Sequence, residues 1–124
     1  MKINLVSDLH LNFGDISLPG GDVLVMAGDV FEAVNFLPGC AFYDRYKRFA
    51  NEELKKYEHV IYVFGNHEYY HFYYNKARET IERNMPDNVH ILENETFDVG
   101  NYRFFGATLW TDFNKQNPLA MSIA

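Results

Sequence analysis

The sequence predicts an α/β domain whose core is a parallel β-sheet. Three short apolar runs support this prediction: Lys2–Ser7, Asp22–Ala27 and Val60–Phe64. Their length and their β-branched and aromatic residues are typical of strands buried on both faces. The segment Phe42–Tyr57 lies before the third run, and its apolar residues recur at helical spacing, with charged residues between them. Because a strand, an amphipathic helix and another strand form a βαβ unit, we expect a parallel core over residues 1–85.

The composition supports a single packed domain and excludes several classes of protein. The chain has 124 residues, of which 48% are hydrophobic, enough for a sizeable core. Its formal net charge of -6 argues against general nucleic-acid binding, which needs a basic surface. Cys40 is the single cysteine, so neither an intrachain disulfide nor a cage of thiolate ligands is expected. No apolar run approaches a membrane span or a signal sequence, and we expect a soluble, cytoplasmic protein without membrane contact.

A second helix is predicted between Glu68 and Pro86. Its apolar side would be formed by Tyr70, Tyr73, Tyr74, Ala77 and Ile81. We interpret the three tyrosines as packing at the core and its rim. The functional alternative is an aromatic lid over the mouth of a pocket.

The last third of the sequence changes its hydrophobic period. Three strand-like runs, Val89–Leu92, Thr96–Val99 and Tyr102–Leu109, are separated by turns rich in Asn and Gly. We therefore predict antiparallel strands over residues 89–110, followed by a tail over residues 111–124. The whole chain, 1–124, is predicted to be one domain.

Polar side chains follow each of the three core strands at the point where the apolar run stops. They are Asp8 and His10 after the first strand, Asp29 after the second, and Asn66 and His67 after the third. Each group alone is also typical of a capping Asp, a loop His or a simple turn. Parallel strands, however, bring their carboxyl ends to one edge of the sheet, where ligands bind. Oxygen and nitrogen ligands without thiolates suit Mn²⁺, Fe or Zn²⁺.

Three sequence motifs in this order identify a resemblance to a known family. They are D-x-H at Asp8–His10, G-D at Gly28–Asp29 and G-N-H-E at Gly65–Glu68. With these motifs the sequence resembles the calcineurin-like metallophosphoesterase superfamily. The segment Gly106–Phe113 is similar to bacterial and phage members. The resemblance implies a β-sandwich with flanking helices, arranged in four αββα layers when complete.

The resemblance also implies a role for each polar residue. The implied metal ligands are Asp8, His10, Asp29 and Asn66. Asp8 and His10 would bind the first of two divalent ions, Asp29 would bridge both ions, and Asn66 would bind the second. His67 would protonate the leaving oxygen or stabilise the phosphoryl transition state. Both Asn66 and His67 would contact the substrate phosphate, and Glu68 would orient His67.

The sequence departs from the family pattern in its last third. Family members continue with a lone metal-binding His and a G-H-x-H motif, whereas residues 91–124 contain no histidine. We therefore expect the N-terminal half of a truncated domain, which would hold one ion by itself. A C-terminal half or a homodimer would complete the sheet and the site. Until then an apolar patch should be exposed, formed by Phe97, Phe104, Phe105, Leu109 and Trp110.

Two functions fit these observations. The first is a metal-dependent phosphoesterase that hydrolyses a phosphomonoester or a phosphodiester with metal-activated water at a dinuclear site. The second is a non-catalytic scaffold of the same fold that binds a protein partner. The intact G-N-H-E motif favours the enzyme, and the missing ligands favour the scaffold.

Overall fold

The fold is built on a four-stranded parallel sheet. The computed structural model describes residues 1–110. The strands are β1 (Ile3–Val6), β2 (Gly21–Ala27), β3 (Tyr57–Val63) and β4 (Val89–Ile91). They lie side by side in chain order, and all three pairings are parallel. The predicted α/β class and its parallel core are confirmed.

The predicted crossover between β2 and β3 is helical along most of its length. It begins with α1 (Tyr43–Arg48) and continues through a π-helical turn, Phe49–Glu53, and a 3-10 turn, Leu54–Lys56. The next strand begins at Tyr57, earlier than the apolar run predicts. The buried Tyr57 hydroxyl accepts hydrogen bonds from Asn4 Nδ2 at 3.0 Å and from the Gly20 N–H at 3.2 Å. These bonds fix the end of the crossover against the neighbouring segments.

The second helix is shorter than predicted. A 3-10 turn covers His67–Tyr69, and α2 spans only Tyr74–Glu82. His71 lies between them with a φ of 56°, a left-handed conformation that interrupts a right-handed helix. Tyr73 is 71% exposed, so its predicted place in the core or rim is wrong.

The strand at residues 89–91 is parallel to β3, so the predicted antiparallel arrangement is wrong there. The reason is the connection: α2 crosses over between β3 and β4, so β4 enters the sheet in the same direction. The antiparallel prediction is confirmed for β5 (Glu95–Val99) and β6 (Tyr102–Gly106), which form a separate hairpin.

The two faces of the parallel sheet are covered differently. On the inner face, next to the helices, the side chains of Leu24, Met26, Val60 and Tyr62 are fully buried. On the outer face a smaller cluster forms where the β5–β6 hairpin packs against the sheet. Its residues include Val23, Ile61, Leu92, Phe97 and Phe104.

The outer face is left uncovered along β1. Leu5 on this strand is 70% exposed. Of the predicted apolar patch, Phe105, Leu109 and Trp110 are exposed, whereas Phe97 and Phe104 turn toward the sheet and are partly buried. The predicted patch is therefore only partly correct in its members.

Some predicted segments fall beyond residue 110. The tail at residues 111–124, and the end of the segment Gly106–Phe113, lie outside the described residues. Among residues 1–110, no helix combines the length and apolar character needed to cross a membrane.

Candidate metal centre

Three side chains from two neighbouring strand ends converge at one edge of the sheet. Asp8 and His10 follow β1, and Asp29 follows β2. Their ligand atoms all lie within 4.8 Å of one another. The backbone N–H of Asp8 donates to the carbonyl of Gly28 at 2.9 Å, and that of His10 donates to the carbonyl of Asp29 at 3.1 Å. These bonds hold the two loops side by side beyond the last paired residues of the strands.

All three of these residues have a left-handed backbone. Their φ angles are 54° at Asp8, 45° at His10 and 55° at Asp29. Asp and His adopt this conformation more readily than most residues, but it still costs about 1 kcal/mol each. Such conformations concentrate at functional sites, where the surrounding structure holds them in place. Here they belong to the residues whose side chains converge.

Two glycines allow the loops after β2 and β3 to touch. A Cβ atom on Gly28 would lie 2.7 Å from the backbone nitrogen of Gly65, and one on Gly65 would collide with the Asp29 carboxylate. The close approach lets the His67 N–H donate to Asp29 Oδ1 at 3.0 Å. The Asp29 carboxylate is therefore fixed from the β3 side while it faces Asp8 and His10.

Glu68 connects the loops after β2 and β3 through hydrogen bonds to both. Its fully buried carboxylate accepts N–H groups from Gly65 at 2.7 Å, Asp29 at 3.0 Å and Val30 at 3.0 Å. The Tyr62 hydroxyl donates to it at 2.5 Å. Burial raises the pKa of Glu68, and these hydrogen bonds oppose that rise. The pKa of Tyr62 is also raised, first by burial and then by the adjacent carboxylate.

The described contacts of Glu68 differ from its predicted role. Its carboxylate binds the loop backbone and Tyr62, and among residues 1–110 it has no hydrogen bond to the His67 ring. The predicted orientation of His67 would therefore act through the loop that carries both residues. The hydrophobic pattern of the sequence does not reveal that Glu68 is buried or that its carboxylate binds backbone N–H groups.

His67 lies beside the converging group, and both His67 and its neighbour Asn66 contact Tyr70. The His67 ring is 4.8 Å from the His10 ring, in an edge-on arrangement with an interplanar angle of 70°. The Tyr70 ring also stacks on the His67 ring, with 4.1 Å between the ring centroids and an interplanar angle of 30°. The Asn66 amide donates to the Tyr70 hydroxyl at 2.9 Å. Tyr70, which the sequence analysis assigned to packing, thus contacts two of the predicted site residues.

A cleft of about 1090 Å³ opens next to Asn66. Gly65, Asn66, Tyr69, Tyr70 and Trp110 are among its lining residues. Two of the tyrosines after the G-N-H-E motif therefore border a cavity beside the site. Of the three tyrosines predicted to pack at the core and its rim, Tyr70 is the one that lines this cleft, whereas Tyr69 also packs against the inner core.

The donor set fits a divalent metal ion. Two carboxylates and an imidazole, with thiolates absent from the group, are ligands that Mn²⁺, Fe and Zn²⁺ accept. Comparison with known sequences points the same way, since the model of the calcineurin-like phosphoesterase family matches residues 1–117. The chain belongs to this family. The family is named for the hydrolysis of phosphoesters.

A viral protein is similar along nearly the whole chain. The uncharacterized protein L509 of Acanthamoeba polyphaga mimivirus is 29% identical over 140 residues. The alignment covers 98% of this chain and 49% of L509. The chain thus spans about half the length of the curated relative it matches.

Proposed function

We propose that this chain carries the N-terminal part of a metallophosphoesterase site that hydrolyses a phosphomonoester or a phosphodiester. The observation that carries the proposal is the convergence of Asp8, His10 and Asp29, whose ligand atoms lie within 4.8 Å of one another. When bound, a divalent ion would act as a Lewis acid and lower the pKa of its bound water, to about 7 in the case of Zn²⁺. Manganese is the first ion to test.

The proposed roles follow the positions of the side chains. Asp8 and His10 would hold the first ion, and Asp29 would be shared between the first ion and a second. Asp29 suits bridging because the His67 N–H fixes its Oδ1 while the carboxylate stays next to the other two ligands. Asn66 would offer its amide oxygen to the second ion, since its NH₂ group is already bonded to Tyr70.

His67 is the proposed proton donor to the leaving oxygen. Its ring packs against that of His10, so it lies beside the ligand group without belonging to it. General acids contribute roughly 10²–10⁴-fold to a reaction rate when they are within reach of the reacting atom. Asn66 and His67 together would hold the substrate phosphate.

The remaining ligands are proposed to come from sequence outside this chain or from a second copy of it. This part of the proposal is supported by the length of L509, of which the match covers 49%. It is also supported by the exposed outer face at β1, where further chain would pack. A cleavage-incompetent scaffold that binds a protein through this apolar face is the second candidate function.

Metal titration calorimetry tests the ligand assignment. The wild-type chain should bind roughly one Mn²⁺, because an ion accepts water in place of missing protein ligands. Asp29→Asn keeps the size of the side chain and removes its charge, and we expect at least a roughly tenfold loss of affinity. Asp87→Asn is the matched control, since Asp87 is exposed and precedes β4 at the opposite edge of the sheet.

A phosphodiester assay on the same proteins separates the two candidate functions. The chain by itself should hydrolyse bis(p-nitrophenyl) phosphate slowly. A protein that also contains the sequence supplying the remaining metal ligands should hydrolyse it faster. Rapid turnover that Asp29→Asn leaves unchanged would mean that the chemistry lies elsewhere. Metal binding without turnover in a protein with a complete ligand set would favour the scaffold.

A further inference from the structure

We propose that Tyr70 is a positioning residue that holds both Asn66 and His67 in place. The inference rests on the proposed function, because those two residues matter for catalysis only if the site is a phosphoesterase. The family motif ends at Glu68, and Tyr70 lies two residues beyond it.

The first contact fixes the orientation of the Asn66 amide. Its Nδ2 donates to the Tyr70 hydroxyl at 2.9 Å. An amide has its donor and its acceptor on opposite sides of one carbon, so binding the NH₂ group also sets the direction of Oδ1. The hydroxyl of Tyr70 therefore decides where the amide oxygen of Asn66 points.

The second contact fixes the imidazole of His67. The Tyr70 ring stacks on it at 4.1 Å, while the His10 ring meets it edge-on at 4.8 Å. Offset stacked and edge-on pairs are the preferred geometries of aromatic rings. Two such neighbours leave the imidazole little freedom to rotate about its side-chain bonds.

The local backbone explains how one side chain reaches both residues. The Tyr69 N–H donates to the carbonyl of Asn66 and the Tyr70 N–H donates to that of His67, each at 3.1 Å. This tight turn brings Tyr70 back over the two residues at its beginning. Left-handed His71 then ends the turn, so Tyr70 is not drawn into α2.

A role in core stability explains Tyr70 less well. Tyr70 is 40% exposed and lies outside the buried cluster that its neighbour Tyr69 joins. Loss of its hydroxyl should therefore leave the free energy of unfolding nearly unchanged. Tyr73 offers a matched control, because it is another exposed tyrosine of the same segment and lines neither the cleft nor the site.

Two variants of Tyr70 separate its two contacts. Tyr70→Phe removes the hydrogen bond to Asn66 and keeps the ring on His67. Tyr70→Leu removes both contacts. Tyr73→Phe and Tyr73→Leu make the same chemical changes away from the site.

Nuclear magnetic resonance of the metal-free chain gives a readout that does not need activity. Tyr70→Phe should move and broaden the side-chain amide signals of Asn66, with little change at His67. Tyr70→Leu should also shift the ring protons of His67, because the ring current of the stacked tyrosine is lost. The Tyr73 variants should leave both sets of signals unchanged. Unchanged signals in Tyr70→Leu would overturn the proposal.

The second readout is steady-state kinetics, measured on the protein that contains the remaining metal ligands. Tyr70→Leu should lower kcat by roughly tenfold or more with a small change in KM, as is typical when support for a catalytic group is lost. Tyr70→Phe should lie between Tyr70→Leu and wild type. Wild-type kcat in Tyr70→Leu, despite altered spectra, would overturn the positioning role. Altered spectra in a protein that never binds metal would refute the proposed function instead, so the two failures are distinguishable.

Discussion

The inner and outer faces of the parallel sheet come from the same strands but are covered very differently. Along β2, Leu24 and Met26 point toward the helices and are fully buried, whereas the neighbouring Val25 points outward and is only partly buried. On β1 the outward Leu5 is largely exposed. The contrast teaches that apolar alternation in a strand indicates what can be buried, while the covering elements decide what is buried.

The candidate metal centre depends mainly on the covered side. Glu68 holds the loops after β2 and β3 together, and its partner Tyr62 belongs to the inner core. The uncovered part of the outer face lies along β1. This arrangement explains how the chain brings Asp8, His10 and Asp29 together although the outer face is uncovered along β1.

The largest expected effect is the difference between removing an inner and an outer leucine. Leu24→Ala should lower the free energy of unfolding by about 3 kcal/mol, because it opens a cavity in a closely packed core. Leu5→Ala should lower it by less than about 0.5 kcal/mol, as is usual for exposed positions. Urea unfolding of both variants measures the contrast. Equal losses would show that something covers the outer face in solution.

An intermediate effect is expected on self-association. Two exposed apolar residues, Leu5 on the outer face and Phe105 on the β5–β6 hairpin, should bring chains together at high concentration. The double variant Leu5→Lys and Phe105→Lys should therefore shift sedimentation toward the monomer. Asn51→Lys with Asn75→Lys adds the same charge at exposed positions of the helical segments and serves as control. A wild-type chain that is already monomeric at high concentration would contradict this expectation.

The smallest effect concerns the pH dependence of the hairpin. His90 lies under it, 3.2 Å from His59 through ring nitrogens, and stacks on Phe97 at 3.7 Å. Burial, and then the neighbouring His59, lowers the pKa of His90. The folded state therefore favours the neutral ring of His90. The neutral ring makes its full contribution to the free energy of unfolding above the ordinary pKa of about 6.5. That contribution is lost as the pH falls through the lowered pKa.

A variant that cannot titrate isolates this contribution. His90→Phe keeps an aromatic ring on Phe97, so its stability should fall less than that of wild type between pH 7.5 and pH 5. Urea unfolding at both pH values measures the difference. The exposed His71 provides the control variant His71→Asn, which should behave like wild type. If His90→Phe and wild type lose the same free energy of unfolding between pH 7.5 and pH 5, His90 does not cause the pH dependence.

The sequence was sufficient to predict the parallel core and the convergence of Asp8, His10 and Asp29, which are three of the four predicted ligands. Parallel direction alone places Asp8, His10 and Asp29 at one edge, so no tertiary detail was needed for that part. The direction of β4 was missed because it depends on a crossover through α2, which periodicity does not reveal. Tyr70 was misassigned because left-handed His71 interrupts the predicted helix, and a single backbone angle leaves no signal in an apolar pattern.

The left-handed backbone at the converging residues has a consequence for how this chain can evolve or be engineered. Glycine adopts that conformation without the steric cost of a Cβ atom, so the backbone at Asp8 and His10 would be less strained with glycine. At Asp29 the hydrogen bond from the His67 N–H opposes the same gain. Selection for stability alone would therefore favour replacement of Asp8 and His10, two of the proposed ligands. A library of this chain therefore needs a screen for bound metal beside any screen for stability, since the two criteria pull these positions in opposite directions.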